Sequence, residues 1–201
     1  MTQTFSSSTI VGILLAAGFS RRFGEQDKLL HPLASGESIA VTAGKALIAA
    51  LPHAIAVVRA ENLPLQTTLA TLGYQVCTCE ATAQEMADSL RQGILAAQTA
   101  FPDATGFVIA LADMPFIQPH TIRQVAGQLQ QSAIVQPVFH GKRGHPVGFS
   151  SRFASELLAI KGDQGAREIL RAHPEAVMLL SCEDAGILRD IDTQADLLNQ
   201  S

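Results

Sequence analysis

The 201-residue sequence has few of the features that mark exported, membrane-spanning or nucleic-acid-binding proteins. It has no Trp, one Tyr and three Cys, and only 16% of its residues are charged. The formal net charge of −4, without a block of Lys and Arg, disfavours an extended nucleic-acid surface. No apolar run reaches the ~20 residues that a membrane-spanning helix needs. Residues 1–9 are polar and lack the basic start of a signal peptide, so we expect a cytoplasmic protein.

The cysteines form no convincing metal or redox motif. Cys77 and Cys79 alternate within the apolar stretch 74–80, and Cys182 stands alone. A C-x-C pair without a second pair or a nearby His is a poor zinc pattern, so ordinary strand residues are the favoured interpretation. Free thiols fit a reducing compartment.

Hydrophobic residues make up 47% of the chain, which is enough for a substantial core. We expect one domain, 1–201, with a disordered tail at 1–8. The predicted strands are 10–16, 54–59, 74–79, 106–112, 133–139 and 177–181. The predicted helices are 38–51, 63–72, 85–100, 119–131, 152–160, 165–172 and 194–198.

The predicted strands are short, apolar and not cleanly alternating, which is typical of strands covered by helices on both faces. Their alternation with helices predicts an α/β fold with a mostly parallel sheet. Such sheets bind ligands at the carboxyl ends of their strands, so the residues that follow each strand are candidates for the functional site.

The loop after the first strand combines glycines with positive charge. Gly18 and Gly24 allow sharp turns and a close backbone approach, and Arg21, Arg22 and Lys28 add cations. Backbone N–H groups, guanidinium and ammonium together predict a phosphate-binding loop. The loop is not a P-loop, because no Lys directly follows the second Gly. The alternative is an ordinary solvated loop.

An aspartate, Asp113, directly follows the buried strand 106–112. A carboxylate at this position is costly unless it is solvated or paired, and Mg²⁺ carrying substrate phosphates is one natural partner. The alternative is that Asp113 caps the helix near Pro119 or begins a turn before Pro115.

The loop sequence L-A-A-G-F-S-R-R-F-G-E-Q-D-K at 15–28 resembles the L-A-A-G-x-S-x-R-[MF]-G-x-x-K signature of the MobA-like nucleotidyltransferases. A-D-M-P at 112–115 resembles the same family's metal motif. The resemblance implies a three-layer α/β/α, Rossmann-like nucleotidyltransferase fold. It implies three catalytic residues, Arg22, Lys28 and Asp113. It implies a nucleotide-binding set of Leu15, Ala16, Ala17, Gly18, Arg22, Lys28, Ser89 and Asp113.

Two further segments resemble family motifs on either side of the expected cleft. E-M-A-D-S-L-R-Q-G-I at 85–94 resembles a nucleoside-facing segment, although Glu85 stands where Gly is usual. Ser89 could instead be an exposed helix hydroxyl. G-K-R-G-H-P-V-G-F at 141–149 resembles the acceptor-side segment. The resemblance implies an acceptor-binding set of Arg143, Gly144, His145 and Pro146. The alternatives are a β-turn with solvated charges, above all for Lys142, and a structural His145.

The last matches lie near the end of the chain. G-D-Q-G-A-R at 162–167 resembles a segment of the cytidylyltransferase branch, and Asp163 also looks like a helix N-cap. R-D-I-D-T-Q-A-D-L at 189–197 resembles D-I-D-T-P-x-D-L. The resemblance implies Asp192 as a second metal ligand beside Asp113, with Asp190 as an alternative. Thr193 could instead simply cap the final helix, with Asp196 in its first turn.

The sequence L-A-A-G, where guanylyltransferases of the family tend to carry L-A-G-G, implies a cytidylyltransferase. A methyl at Ala17 would narrow the pocket towards a pyrimidine. The resemblance implies transfer of CMP from CTP to the terminal phosphate of molybdenum-carrying molybdopterin, with Mg²⁺ or substituting Mn²⁺. It also implies contact with a target molybdoenzyme of the xanthine dehydrogenase type.

Three alternatives to this function stay open. One is nucleotide transfer to a sugar- or alcohol-phosphate, and another is a non-catalytic chaperone that delivers molybdopterin. The third, a dinucleotide-binding oxidoreductase, is disfavoured because no G-x-G-x-x-G follows a strand.

Overall fold

A computed structural model of the chain describes residues 9–18, 23, 27–80, 85–162 and 165–198, so the predicted tail 1–8 lies outside it. The strands are β1 (Thr9–Ala16), β2 (Ala54–Arg59), β3 (Gln75–Cys79), β4 (Ala104–Leu111), β5 (Ile134–Phe139), β6 (Lys142–Arg143), β7 (Val147–Ser150) and β8 (Val177–Ser181). The α-helices are α1 (Ile39–Ala50), α2 (Leu63–Thr71), α3 (Met86–Ala100), α4 (Pro119–Gln128), α5 (Ala154–Ala159), α6 (Arg167–Ala172) and α7 (Gln194–Leu198). Short 3-10 helices span Lys28–Leu30, Ser151–Phe153, Pro174–Ala176 and Ala185–Leu188.

The described strands form one sheet in the order β3-β2-β1-β4-β7-β5-β6, and β8 pairs with β5. Strands β3, β2, β1 and β4 are mutually parallel, as are β5 and β8. Strand β7 is antiparallel to both β4 and β5, and the two-residue β6 is antiparallel to β5. The sheet is therefore mixed and mostly parallel.

Both faces of the sheet are covered by helices, because successive strand residues point to opposite sides. On one face a buried cluster joins β1 to α1, α2 and α4 through Leu14, Leu47, Leu65 and Ile122. On the other face a second buried cluster joins β1 to α3, α5 and α6 through Ile13, Leu90, Leu157 and Ile169. The predicted three-layer α/β/α fold is therefore confirmed. No helix in the described ranges is long and apolar enough to cross a membrane.

Helix starts follow local capping chemistry. The Ser38 hydroxyl accepts a hydrogen bond from the Val41 N–H at the start of α1, and the Asn62 side chain accepts one from the Leu65 N–H at the start of α2. At α4 the caps come from elsewhere: the buried Asp184 carboxylate accepts from the Gln118 backbone N–H. The alternative that Asp113 caps this helix is therefore wrong.

Several predicted boundaries differ from the structure, and the strand predicted at 106–112 spans Ala104–Leu111. The helix predicted at 119–131 ends at Gln128. The segment predicted as a helix at 152–160 begins as a 3-10 turn and becomes α-helical only at Ala154. Helix α6 begins at Arg167 with Ala166 as its N-cap, and Asp163, predicted as a cap, lies outside the described residues.

The strands β7 and β6, which both pair with β5, were not predicted as strands. Four residues are too few to show alternation, and the packing of β7 depends on one glycine in β4 and one in β7 itself. A Cβ at Gly106 would lie 2.9 Å from the Phe149 carbonyl oxygen, and one at Gly148 would lie 3.0 Å from a methyl of Val125. These glycines let β7 pack between β4 and β5, which the spacing of apolar residues does not reveal.

Candidate active site

The candidate active site lies where β1 and β4 end beside each other. The Ala112 N–H donates a hydrogen bond of 3.0 Å to the Leu15 carbonyl, which aligns the two carboxyl ends. Ala16 and Ala17 are buried directly after this point, and Gly18 is exposed, with no described residue within 4 Å of the place where a Cβ would lie. The loop after β1 and Asp113 after β4 therefore start from the same edge, as predicted from their positions directly after two strands of a mostly parallel sheet.

Lys28 brings the loop to the carboxylates. Its side chain is buried, and its Nζ donates to Asp113 Oδ2 at 2.9 Å and to Asp192 Oδ1 at 3.2 Å. These three residues are separated by 85 and 164 positions in the sequence, so only the fold brings them together. The structure thus places three of the predicted site residues within one hydrogen-bonded group.

Asp192 reaches this group because the chain after Ile187 runs back along the end of β4. The Ile191 N–H donates to the Asp113 carbonyl at 2.9 Å, which sets Asp192 beside Asp113. Asp190, the alternative second ligand, is exposed and lies outside the contact with Lys28. The geometry therefore favours Asp192 over Asp190.

The segment that carries Asp192 is held by Asp196 in the first turn of α7. Asp196 Oδ2 accepts from the backbone N–H of Asp192 at 3.0 Å, and from both the backbone N–H and the hydroxyl of Thr193 at 2.7 and 2.9 Å. These hydrogen bonds lower the pKa of Asp196, and the one from the Thr193 backbone N–H has the largest effect. The capping interpretation of Thr193 and Asp196 and the metal interpretation of Asp192 are therefore compatible.

The chemistry of the carboxylates fits a divalent cation. Asp113 Oδ1 is buried and has no hydrogen-bond partner among the described residues. Two carboxylates share the one ammonium of Lys28, which leaves these three groups with a formal negative charge. In the part of the chain that is described, no group of three or more His, Cys, Asp or Glu side chains is arranged so that it could hold a metal ion by itself. Mg²⁺ suits such a site, because it commonly takes one or two carboxylates and completes its shell with water and substrate phosphates.

Ser89 lies on α3 beside the end of β3. Its side chain is buried, so the alternative that it is an exposed hydroxyl is wrong. Its hydroxyl forms a hydrogen bond with the Cys79 thiol. Burial raises the pKa of that thiol, and the hydrogen bond offsets part of this effect. Cys77 on the same strand is also buried enough to raise its pKa to about 11. Both cysteines are strand residues, as the sequence indicated.

Glu85 stands before α3, where the family usually has Gly, and its side chain makes hydrogen bonds that hold the start of this helix. Glu85 and Asp88 form a reciprocal capping box, and Glu85 Oε2 also accepts from the Gly162 N–H at 2.7 Å. The Ala87 N–H in turn donates to the Gly162 carbonyl at 3.2 Å. The carboxylate thus ties the start of α3 to the segment before α6, whereas the E-x-x-D spacing signals only the local capping box.

The predicted acceptor-side residues lie around β6 and β7. A Cβ on Gly144 would come within 2.3 Å of the Ile187 carbonyl oxygen, which requires glycine there. That same carbonyl accepts from the His145 N–H at 3.0 Å. Pro146 is buried behind them, whereas Arg143 is exposed. The connection between β6 and β7 therefore packs against Ile187, in the segment that leads to Asp192.

His145 is an uncharged residue at neutral pH. Burial, and then the positive charge of Arg167, lower its pKa to about 4, against a smaller opposite effect of Asp190. Its Nδ1 is buried without a hydrogen-bond partner among the described atoms. The interpretation of His145 as a hydrogen-bonding group is therefore favoured over a cationic contact with the acceptor phosphate.

Arg22, Ser20 and Gly24 of the loop signature lie outside the described residues. Two residues close to Lys28 were missed. Asp27 and Asn62 both cap helices, and the visible signals were an Asp before a short Lys-Leu-Leu turn and an Asn before Leu-Pro.

Comparison with known proteins identifies the family. Residues 12–177 match the MobA-like NTP transferase domain. The chain is 33% identical over 196 residues to the purine catabolism protein PucB of Bacillus subtilis, covering 93% of each chain. It is 26% identical over 193 residues to the nicotine blue oxidoreductase of Paenarthrobacter nicotinovorans, covering 92% of each.

Solved structures agree. Rv0371c of Mycobacterium tuberculosis H37Rv superposes with a TM-score of 0.79 at 27% identity, over 94% of this chain and 96% of that one. A manganese complex of the same protein gives a TM-score of 0.78 at 26% identity, over 96% and 100%. The chain therefore belongs to the MobA-like NTP transferase domain family.

Proposed function

We propose that this nucleotidyltransferase moves CMP from CTP to the terminal phosphate of molybdenum-carrying molybdopterin, with release of pyrophosphate. The observation that carries the proposal is the group formed by Lys28, Asp113 and Asp192 at the carboxyl ends of β1 and β4. It combines an ammonium for phosphate oxygens with carboxylates for a metal. These are the groups that phosphoryl transfer needs most, because its catalysis consists chiefly of positioning and charge stabilisation.

Lys28 would hold the triphosphate in this reaction. Its ammonium is buried at the mouth of the loop that follows β1, so a phosphate oxygen reaching it is shielded from water. Together with Arg22 it would stabilise the negative charge that develops on the leaving pyrophosphate. When CTP binds, its phosphates would compete with the two carboxylates for the Lys28 ammonium.

A divalent cation would complete the charge balance. Asp113 and Asp192 would hold Mg²⁺, or Mn²⁺ in its place, which would neutralise charge on the phosphates. The manganese complex of Rv0371c is consistent with a divalent ion in a relative.

The acceptor needs no general base. A phosphate monoester has a second pKa of ~6, so its attacking oxygen is already anionic at neutral pH. The side chains around it therefore only bind and orient. Arg143, Gly144, His145 and Pro146 form the proposed acceptor side, with Arg143 as its cation and the neutral His145 as a hydrogen-bonding group.

Selection of CTP is assigned to the loop after β1. Ala17 is buried, and its methyl would narrow the space beside the backbone where a base would lie. Gly18, by contrast, leaves open space. Leu15, Ala16 and Ser89 complete the proposed nucleotide side. This arrangement disfavours a purine more strongly than it separates cytosine from uracil.

Pyrophosphate release is the direct test. The purified protein is incubated with CTP, GTP, UTP or ATP in Mg²⁺, with and without molybdenum-loaded molybdopterin. The proposal predicts release with CTP that depends on the acceptor. Release driven by a sugar- or alcohol-phosphate instead would assign the first alternative. Tight molybdopterin binding without pyrophosphate release would assign a delivery chaperone that presents the cofactor to a molybdoenzyme.

A redox activity needs its own control, because one relative is named an oxidoreductase. The same preparation is therefore assayed for oxidation of NADH and NADPH. The proposal predicts no acceptor-dependent oxidation of either nucleotide.

A further inference from the structure

The Lys28 ammonium depends on a backbone held in place by a short turn. Lys28 begins a 3-10 helix of only three residues, Lys28–Leu30. So short a helix gains little from its own hydrogen bonds, so its position depends on what caps it. The Asp27 carboxylate supplies that cap, because its Oδ1 accepts from the Leu29 N–H at 3.0 Å.

The other oxygen of Asp27 is bound by a residue from a different element. Asn62 Nδ2 donates to Asp27 Oδ2, across 35 positions of sequence. Asn62 Oδ1 accepts from the Leu65 N–H at 3.2 Å and so caps α2. One side-chain amide therefore contacts two helices. Its oxygen caps α2, and its nitrogen binds Asp27, the residue that caps the Lys28–Leu30 turn.

The sheet anchors Asn62 in turn. Its backbone N–H donates to the carbonyl of Arg59, the last residue of β2, at 3.0 Å. The Gln66 side chain donates to the carbonyls of Arg59 and Ala60 at 2.9 and 3.0 Å. A continuous series of hydrogen bonds therefore runs from the end of β2 through Asn62 and Asp27 to the backbone that carries Lys28.

We propose that Asn62 and Asp27 are positioning residues that fix the Lys28 ammonium between the two carboxylates. They touch neither Asp113 nor Asp192 through any of these hydrogen bonds and act only through the turn. The inference rests on the proposed function for its catalytic consequence. Its structural part, a fixed Lys28, stands on the hydrogen bonds alone.

The amide chemistry allows a specific test. Asn62→Asp keeps an N-cap as good as Asn on α2, but it sets a second carboxylate against Asp27 where a donor is needed. Asn62→Ser also keeps a cap for α2, adds no charge, and is too short to reach Asp27. The exchanged pair Asp27→Asn with Asn62→Asp allows all three hydrogen bonds, and the donor and acceptor are reversed only in the bond between positions 27 and 62.

The expected result is a loss that the exchange reverses. A displacement of about 1 Å in a positioning group can cost about 10²-fold in rate, so kcat for pyrophosphate release should fall by that order in each single variant. The thermal midpoint of N62D and N62S should stay near that of the wild type, and the exchanged pair should regain most of the lost rate. Ser38→Asp, a cap change at α1 with the same added charge, is the matched control.

A second measurement does not require turnover. Acetic anhydride should modify exposed Lys142 readily and buried Lys28 slowly, as mass spectrometry of the peptides would report. We expect faster modification of Lys28 in N62D and N62S and renewed protection in the exchanged pair. Equal modification of Lys28 in all variants, or a pair no better than its single variants, would overturn the inference. Absence of pyrophosphate release by the wild type would instead refute the proposed function and leave the labelling result valid.

Discussion

Replacing Lys28 by Met removes the ammonium while keeping an unbranched apolar side chain of similar length. The side chains of Lys28, Asp113 and Asp192 are 9%, 26% and 31% exposed, so the group is neither a surface ion pair nor a fully buried one. Surface pairs contribute ~0–1 kcal/mol and breaking a buried pair costs ~3–5 kcal/mol, so we expect a loss of about 2 kcal/mol in unfolding free energy. For a chain of this size that corresponds to roughly 4–8 °C in Tm.

The expected loss of activity is much larger. Removing one preorganised donor from a developing anion costs ~10²–10³ in kcat, which is about 3–4 kcal/mol of transition-state stabilisation. Steady-state pyrophosphate release with CTP and acceptor measures kcat, and thermal unfolding measures stability. Lys45→Met is the control, because it removes an exposed pair with Glu37 on the surface of α1. Near-normal turnover by K28M, or a loss explained by unfolding at the assay temperature, would refute the reasoning.

Three other substitutions test separate parts of the site. Asp113→Asn should abolish pyrophosphate release with little change in Tm, as measured by the same two assays, and normal turnover would remove Asp113 from the metal site. Ala17→Gly should raise the ratio of GTP to CTP turnover, and an unchanged ratio would undercut the pocket-size argument. The pKa of His145 is lowered to about 4 in the folded state, from 6.5, so as pH falls the unfolded state binds a proton at this residue before the folded state does. His145 should therefore reduce the free energy of unfolding as pH falls from 6.5 to about 4. His145→Gln should therefore flatten the decline of unfolding free energy over that range in urea titrations, and an identical decline would show that His145 does not titrate in this way.

The parts of the fold that could be predicted are those that local patterns determine. The apolar runs gave β1, β2 and β8 to within a residue, and Ser38 marked the start of α1. These elements are long, apolar or capped by their own sequence. A strand such as β7 is different, because its four residues pair only with distant segments and depend on the small volume of Gly106.

The site shows the same division. The metal-binding interpretation of Asp113 came from its place after a buried strand, and the convergence of strand ends predicted that Lys28 would be close to it. Nothing local indicated that Glu85 would bind the Gly162 N–H or that Asp184 would satisfy the start of α4. Such contacts join segments that are far apart in sequence, so their partners emerge only once the fold is known.

The link between Asn62 and Asp27 was missed for a related reason. Each residue carries a local capping signal, and each does cap its own helix. Their mutual hydrogen bond depends on α2 and the Lys28 turn lying side by side at the end of β2, which capping patterns do not encode. A residue that satisfies one local rule can therefore hold a second, functional contact.

The most direct measurement is a crystal structure of the protein with Mn²⁺ and a non-hydrolysable CTP analogue. Anomalous scattering would locate the metal, and the account predicts one ion bound by carboxylate oxygens of both Asp113 and Asp192, with the Lys28 ammonium on a phosphate oxygen. A metal held elsewhere, or a triphosphate that leaves Lys28 paired only with the two aspartates, would contradict it.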